Sequence, residues 1–223
     1  MSANKVVGVY EAVLFDLDGT LVDSLGSFEL AAKRVFQKHS IELPKTASLK
    51  ELVKKPFGYV VRTVIPQIDD STVERLVQEY ISEYNADAYR TVRPNDGSLN
   101  VLKSLKERGK KIAIVTARTV LQDSLWPTLS YLGLDRYVDT LVTPRNVIAP
   151  KPAPYEHVLA LQNLNVEPQK ALSVGDSPED IRASKAAGVK SVGYTGGFFP
   201  KERLAEESPE YIIEDLADVL ELV

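Results

Sequence analysis

The sequence predicts an α/β protein with a doubly wound parallel sheet at its core and an all-helical domain inserted after the first strand. Three observations lead to this prediction. Apolar runs of strand length alternate with helical patterns from Arg93 onward. An earlier apolar run ends at a pair of aspartates, and the residues between these aspartates and Arg93 show only helical patterns. Such alternation implies right-handed crossovers and a parallel sheet with helices on both faces. We therefore assign residues 1–22 and 92–223 to the core and residues 23–91 to the insert.

The first strand is the apolar run Ala12–Phe15, which ends at Asp16 and is followed by Gly19 and Thr20. This order is typical of a buried strand that opens into a tight loop. The residues that follow lack strand-like runs and repeat their apolar positions at helical spacing. The predicted helices of this region are 25–37, 49–53, 59–64 and 72–89.

From the turn signal Arg93–Gly97 to the C-terminus, strands and helices alternate. Gly109 is predicted to end the first helix, because glycine adopts the left-handed conformation without strain. The predicted strands are 111–115, 138–142, 171–174, 189–193 and a last strand that begins at Tyr211. The predicted helices are 99–107, 121–132, 155–162, 178–187 and a last helix that ends at Leu222.

The composition is that of a folded globular protein, with 44% hydrophobic and 26% charged residues among 223. A net charge of −4 and the lack of a long basic run argue against nucleic acid as the main partner. No apolar run reaches membrane-spanning length, so no membrane role is expected. The absence of cysteine excludes disulfides and thiolate chemistry and fits a cytoplasmic location.

Five polar residues follow the predicted strands. Asp16 and Asp18 come after the first strand, and Thr116, Lys151 and Asp176 come after later strands. Ligands of open parallel sheets bind outside the carboxyl ends of the strands, near the point where the strand order reverses. We therefore expect these five residues to converge.

The residue types fit phosphoryl transfer, which requires a nucleophile, positive charge around the phosphoryl oxygens and a proton donor near the leaving group. Asp16 is the candidate nucleophile and would form an aspartyl-phosphate, a step that requires a cation to screen the carboxylate from the phosphoryl oxygens. Mg²⁺ is that cation, with Asp16, the backbone carbonyl of Asp18 and Asp176 as its expected ligands. The Asp18 side chain points to the other side of the chain and is the candidate acid and base.

The remaining candidates surround this centre. Lys151 and the Thr116 hydroxyl are expected to bind the phosphoryl oxygens, with Ala117 beside them and backbone N–H groups of the first loop. Asp180 either supports the metal ligands or favours the N-terminus of its helix through the helix dipole. Ser177 has the same two interpretations, the second as a helix N-cap.

Four segments, in this order, resemble the motifs of the haloacid dehalogenase superfamily. They are Phe15–Ser24 (FDLDGTLVDS), Ile114–Thr116 (IVT), Lys151–Pro154 (KPAP) and Val174–Ile181 (VGDSPEDI). The following segment Ala183–Val189 is similar to the phosphoglycolate phosphatase branch. The resemblance implies a Rossmann-like core, a mobile helical cap, magnesium and an aspartyl-phosphate intermediate. An acid two residues after the nucleophile is similar to phosphatases and mutases and unlike dehalogenases, so carbon–halogen cleavage is disfavoured.

Three basic residues have two interpretations each. Many relatives carry a small polar residue after the threonine of the second motif, whereas Ala117 and Arg118 stand here. Arg118 either contacts a second anionic group of the substrate or is a solvated residue at the start of a helix, and the solvated alternative is favoured. Lys54 and Lys55 lie where related caps place a substrate-specificity loop, and they either contact the substrate or belong to an ordinary turn.

The leading hypothesis is a magnesium-dependent phosphatase that hydrolyses a small phosphorylated metabolite, with phosphoglycolate as the first substrate to test. A sugar phosphomutase similar to β-phosphoglucomutase would use the same acids and return the phosphoryl group to the substrate. The alternative from another class is a non-catalytic phosphate-sensing or regulatory protein. That alternative would be easier to hold if Asp16, Asp18 or Lys151 were missing, and all three are present. The expected assembly is a monomer or a homodimer.

Overall fold

The computed structural model describes residues 10–43, 48–52, 54–118 and 122–223. Within these ranges no helix combines the length and the apolar character that crossing a membrane requires. Two positions at the ends of predicted helices, Val53 and Leu121, lie outside the described residues.

A six-stranded sheet forms the centre of the fold. The strands along the chain are β1 (Ala12–Phe15), β2 (Val22–Asp23), β3 (Arg93–Pro94), β4 (Lys111–Val115), β5 (Thr140–Val142), β6 (Ala171–Gly175), β7 (Lys190–Tyr194) and β8 (Tyr211–Ile213). The sheet has the order β5-β4-β1-β6-β7-β8 with every pair parallel, and β2 and β3 form a separate pair. The strand order reverses at β1, which confirms the predicted doubly wound sheet and marks its carboxyl edge as the expected site.

Both faces of this sheet are buried. All four residues of β1 are fully buried, although successive side chains of a strand point to opposite faces. On one face, Ala12 and Leu14 share a buried cluster with Ala113 and Val115 of β4 and with the helical residue Leu161. Strands that are apolar on both sides are typical of parallel sheets covered by helices, which accounts for the continuous apolar runs in the sequence.

The described residues form the following α-helices: α1 (Leu25–Lys38), α2 (Leu49–Leu52), α3 (Phe57–Val64), α4 (Asp70–Ala86), α5 (Ser98–Glu107), α6 (Gln122–Tyr131), α7 (Tyr155–Leu164), α8 (Pro178–Ala186) and α9 (Lys201–Ala205). Helix α7 packs on β4 and β5, and α8 packs on β6 and β7. Gly109 has a φ of +71° just after α5 ends at its C-cap Arg108, as its glycine character predicts.

The chain divides into two compact units. One unit comprises the described residues up to Val22 together with Pro94–Val223, and it contains the sheet. The other comprises those of Asp23–Arg93 and contains α1 to α4. Its core includes the aromatic stack of Phe57 on Phe36 and Tyr80, with ring centroids 5.6 and 4.2 Å apart.

The structure differs from the prediction in short elements. The strand predicted at 138–142 begins only at Thr140, because Asp135–Tyr137 forms a 3₁₀ helix and the Val138 N–H closes it by donating to the Asp135 carbonyl. The last helix is a 3₁₀ helix, Leu216–Glu221, rather than an α-helix. Strands β2 and β3 and helix α9 were not predicted, because segments of two to five residues are too short to show a periodicity.

Candidate active site

The carboxyl ends of β1, β4 and β6 bring three of the predicted site residues to one edge of the sheet. Phe15, the last residue of β1, pairs with Val174 of β6, and Asp16 follows it directly. The Asp16 N–H donates to the Val174 carbonyl at 2.9 Å, which extends the pairing by one residue. Thr116 comes directly after β4, on the other side of β1, and Asp176 comes directly after β6. The nucleophile candidate is therefore central.

Lys151 lies between β5 and α7 and contacts Asp16. Its Nζ donates to Asp16 Oδ1 at 2.7 Å, to Asp180 Oδ1 at 2.5 Å and to the Val115 carbonyl at 2.7 Å. These acceptors use all three ammonium protons. Burial acts to lower the pKa of Lys151, but the charges of Asp16 and Asp180 outweigh it and hold the pKa above its ordinary value. Lys151 is thus a fixed positive charge beside the candidate nucleophile.

Two buried polar residues lie in the first turn of α7. Glu156 accepts the backbone N–H of Lys151 at 2.8 Å, and burial raises the pKa of its carboxyl group. His157 Nε2 lies 2.9 Å from Ser173 Oγ, and burial lowers the pKa of His157 to about 3, so the ring is neutral at physiological pH. The contact of Glu156 with Lys151 was not predicted, because a spacing of five residues alone does not indicate a hydrogen bond.

Asp176 is enclosed by backbone and by hydrogen-bond donors. The Thr20 hydroxyl donates to Asp176 Oδ1 at 3.0 Å, and the Phe198 N–H donates to Oδ2 at 2.6 Å. Gly19 has a φ of +93°, and a Cβ at Gly19 or at Gly197 would collide with the Asp176 carboxylate. Glycine is therefore required at both positions, since the two backbones approach the carboxylate too closely for a side chain.

Asp180 and Ser177 form a capping box at the N-terminus of α8. The Ser177 hydroxyl and N–H donate to Asp180 Oδ2 at 2.6 and 3.1 Å, and the Asp180 N–H donates to Ser177 Oγ at 3.2 Å. The other Asp180 oxygen accepts from Lys151. The two interpretations of Asp180 are therefore compatible, because one oxygen caps the helix and the other faces the site.

Three of these carboxylates form a candidate metal centre. Asp16, Asp176 and Asp180 each offer an oxygen atom within 4.8 Å of the others, and all three residues are buried. When they are ionised, three carboxylates against the Lys151 ammonium leave two negative charges, which a divalent cation would neutralise. The ligands predicted from sequence are Asp16, Asp176 and the backbone carbonyl of Asp18. Asp180 supplies the third carboxylate of the cluster.

The pKa shifts in this cluster have the same origin. Burial raises the pKa of Asp16 well above its ordinary value, and the charges of Asp180 and Asp176 add to this against the attraction of Lys151. Burial and the neighbouring Asp180 raise the pKa of Asp176 to about 7. A bound cation would reverse both shifts, and an all-oxygen donor set fits Mg²⁺ better than a soft metal. The residues present therefore fit the expected cofactor.

Asp18 is not one of the clustered acids, and Arg118 binds its carboxylate. Arg118 Nε donates to Asp18 Oδ2 at 2.6 Å and Nη2 donates to Oδ1 at 2.5 Å. The Arg118 side chain is only 7% exposed, so the favoured expectation of a solvated arginine is wrong. The Arg118 N–H also donates to the buried Thr116 hydroxyl at 3.2 Å, and Ala117 between them is exposed. The bidentate contact with the Asp18 carboxylate compensates the charge of the guanidinium and so allows it to be buried.

Asn95 fixes the loop that carries Asp18. Its side-chain amide donates to the carbonyl groups of Gly19 and Thr20 at 3.0 and 2.8 Å, and its backbone N–H donates to the Leu21 carbonyl at 2.9 Å. Asn95 is predicted from sequence only as part of a turn, because a contact between residues 76 positions apart has no local signal.

Lys54 and Lys55 lie between α2 and α3 in the helical unit. Lys54 forms an ion pair with Glu51, with Nζ 2.9 Å from Oε2, and Lys55 is exposed. Neither observation distinguishes an ordinary turn from a substrate contact, and their role in binding stays a prediction.

The chain is similar to known proteins in both sequence and structure. It matches the family model of the haloacid dehalogenase-like hydrolases over residues 13–194, which include all four motif segments. It is 30% identical over 213 residues to pyrophosphatase PpaX from Halalkalibacterium halodurans, covering 95% of each chain. It is 28% identical over 218 residues to phosphoglycolate phosphatase from Pseudomonas putida, covering 93% of this chain and 78% of that one. A haloacid dehalogenase-like family hydrolase from Streptococcus pneumoniae has the same fold, with a TM-score of 0.82 at 22% identity over 96% of this chain and 98% of that one.

Proposed function

The chain belongs to the haloacid dehalogenase-like hydrolases and is a phosphatase of that family, and we propose that it hydrolyses a small phosphomonoester with Mg²⁺ through an aspartyl-phosphate on Asp16. The observation that carries the proposal is the buried contact of Asp16 with Lys151, beside the carboxylates of Asp176 and Asp180. A nucleophilic carboxylate, a fixed cation and a set of metal ligands are the groups that phosphoryl transfer requires.

In the first step, a carboxylate oxygen of Asp16 attacks phosphorus and the bond from phosphorus to the ester oxygen breaks. Lys151 holds Asp16 Oδ1 and orients the carboxylate, so Oδ2 is the oxygen proposed to attack. A cation held by Asp16, Asp176 and Asp180 would supply the positive charge that screens the carboxylate from the phosphoryl oxygens. The Thr116 hydroxyl and nearby backbone N–H groups would bind the phosphoryl oxygens as charge shifts toward the leaving oxygen.

Asp18 is proposed to transfer protons in both steps. It gives a proton to the ester oxygen as that oxygen leaves, and the product alcohol departs. It then takes a proton from the water that attacks the phosphorus of the aspartyl-phosphate. Inorganic phosphate is released and the Asp16 carboxylate is restored, so protons and bonds balance over one turnover.

The names of the relatives suggest two substrates. The Pseudomonas putida relative is named a phosphoglycolate phosphatase and the Halalkalibacterium halodurans relative a pyrophosphatase. We propose the phosphomonoester 2-phosphoglycolate as the first candidate and inorganic pyrophosphate, a phosphoanhydride that the same steps would hydrolyse, as the second. Both carry a second anionic group close to the phosphoryl group that is transferred.

A panel of three phosphoesters and one phosphoanhydride tests the proposed function. The assay measures phosphate release, with Mg²⁺ present, from 2-phosphoglycolate, pyrophosphate, glycerol phosphate and glucose 1-phosphate. We expect one of the first two to have a kcat/KM at least about tenfold above the others, the scale of discrimination that a few selective contacts provide. The Asp16→Asn variant, purified in parallel, reports any contaminating phosphatase. Conversion of glucose 1-phosphate to an isomer, or the absence of phosphate release from every compound, would contradict the proposal.

A further inference from the structure

Asn95 uses all of its N–H donors to bind the turn that follows Asp18. Its side-chain amide donates to the carbonyl groups of Gly19 and Thr20 at 3.0 and 2.8 Å, and its backbone N–H donates to the Leu21 carbonyl at 2.9 Å. An asparagine has two N–H donors in its side chain and one in its backbone, so each of them has a carbonyl partner here. One residue therefore holds three successive peptide groups.

Two of these peptide groups are also bound from their opposite side. In a trans peptide the C=O and N–H bonds point in opposite directions. The Thr20 carbonyl shares its peptide group with the Leu21 N–H, and the Leu21 carbonyl shares its peptide group with the Val22 N–H. Both N–H groups donate to the Leu17 carbonyl at 3.0 Å. Asn95 and Leu17 therefore hold the two peptide groups between them.

This arrangement fixes the backbone on both sides of Asp18. Leu17 precedes Asp18 and accepts the two N–H groups just described. Gly19 follows Asp18, and its carbonyl accepts from Asn95 while its N–H donates to the Val22 carbonyl at 2.8 Å. The turn held by Asn95 therefore sets the position from which the Asp18 side chain projects.

The candidate nucleophile is held by other contacts. The Asp16 N–H donates to the Val174 carbonyl, and the Asp16 carboxylate accepts from Lys151. Neither contact involves Asn95, so loss of the Asn95 amide is expected to displace Asp18 more than Asp16. A general acid has to lie within hydrogen-bond reach of the leaving oxygen, and a misplacement of about 1 Å can cost about 10²-fold in rate.

We propose that Asn95 is a positioning residue for acid catalysis: it holds the turn so that Asp18 gives its proton to the leaving oxygen as the bond from phosphorus to that oxygen breaks. This inference rests on the proposed phosphatase function and adds a residue that acts through Asp18. Asn95 lies one residue after Pro94, where the chain re-enters the sheet unit. Loss of its amide donors should weaken proton transfer and leave the attack by Asp16 largely intact.

Two substrates that differ in their need for a proton test this role. The first is the panel compound that the wild type hydrolyses fastest, because the leaving oxygen of every panel compound takes up a proton. The second is 4-nitrophenyl phosphate, whose leaving group needs none. The measurement is kcat/KM for both at saturating Mg²⁺. This quantity covers binding and the first step, so hydrolysis of the intermediate does not affect it.

Asn95→Leu keeps the branched shape of the side chain and removes the amide donors. Its kcat/KM for the first substrate should fall at least about tenfold more than its kcat/KM for 4-nitrophenyl phosphate. Asp18→Asn is the reference and should show the same difference at about 10²-fold or more. Asn95→Gln, which keeps the amide on a longer side chain, should lie between the wild type and Asn95→Leu. The ratio of the two substrates does not depend on the folded fraction of a sample.

The controls separate positioning from a merely structural role. Asn100→Leu removes an exposed amide from α5 and should leave the ratio unchanged. An equal fall for both substrates in Asn95→Leu, or wild-type values for both, would overturn the inference, and Asn95→Gln decides in the same way if Asn95→Leu does not fold. An equal fall in Asp18→Asn would instead overturn the proposed acid role of Asp18 and this inference with it, so the two failures are distinguishable.

Discussion

Replacing Asp16 with asparagine is expected to lower kcat by about 10⁴-fold or more, the scale on which loss of an enzyme nucleophile acts. Asparagine keeps the volume of the side chain but lacks the negative charge that attacks phosphorus and helps to hold the metal. The measurement is steady-state phosphate release at saturating substrate and Mg²⁺.

The fold should survive this change. Burial beside Asp180 and Asp176 raises the pKa of Asp16, which means that its charged form is disfavoured in the metal-free protein. The neutral amide should therefore leave the melting temperature of the metal-free protein unchanged or higher. Asp218→Asn, the same change at an exposed acid of the C-terminal 3₁₀ helix, should keep full activity. Activity of Asp16→Asn close to that of the wild type would rule out Asp16 as the nucleophile.

Removal of divalent cations is expected to have the second largest effect. Chelation should lower kcat by roughly 10³-fold, since a bound cation contributes several kcal/mol of charge stabilisation to such transition states. Mg²⁺ should restore activity, and Ca²⁺ should inhibit because its larger and looser coordination shell misplaces the carboxylate relative to phosphorus. The measurement is phosphate release during titration of each ion into chelated protein, and full activity in excess chelator would refute the metal role.

The same metal site should be visible in the pH dependence of stability. The pKa of Asp176 rises from 3.8 to about 7 in the folded protein. A group whose pKa is higher in the folded state than in the unfolded state stabilises the fold when it is protonated. This stabilisation is complete below the pKa of the unfolded state and is lost as pH rises through the pKa of the folded state. The free energy of unfolding of the metal-free protein should therefore fall between about pH 4 and pH 7, by roughly 4 kcal/mol at most from this group.

Bound Mg²⁺ favours the ionised carboxylates and should flatten that decline. The measurement is urea unfolding from pH 4 to pH 8 with and without Mg²⁺. Asp176→Asn is the matched variant, because an amide does not titrate and should remove the part of the metal-free slope that comes from Asp176. An identical slope in the variant would show that another group is responsible.

The parts of the fold that the sequence predicts are those with local signals. The continuous apolar run of β1 identifies a strand buried on both faces, and the acids directly after it mark the carboxyl edge of the sheet. The capping box of Ser177 and Asp180 is equally local, because its two residues are three apart. Thr116 and Asp176 come next to β1 because parallel strands align their ends.

The contacts that the sequence does not predict join distant residues. Arg118 and Asp18 are 100 residues apart, and only the order of β4 beside β1 brings them together. A guanidinium after a strand gives no sign of whether its partner is water, substrate or protein, which is why the solvated interpretation was favoured. Asn95 is likewise 76 residues from the Gly19 carbonyl that it binds. Such contacts depend on the directions in which individual side chains point, and the periodicity of apolar residues does not predict these directions.

Trapping of the intermediate shows whether Asp16 carries the phosphoryl group between the two steps. The Asp18→Asn variant is mixed with Mg²⁺ and 4-nitrophenyl phosphate, whose leaving group needs no proton, and is quenched in acid before mass spectrometry of its peptides. Loss of the base should slow hydrolysis of the intermediate. We therefore expect a phosphoryl adduct on the peptide that contains Asp16 and reduction of that residue by borohydride. Release of 4-nitrophenol with no adduct on Asp16, or with an adduct on another residue, would contradict it.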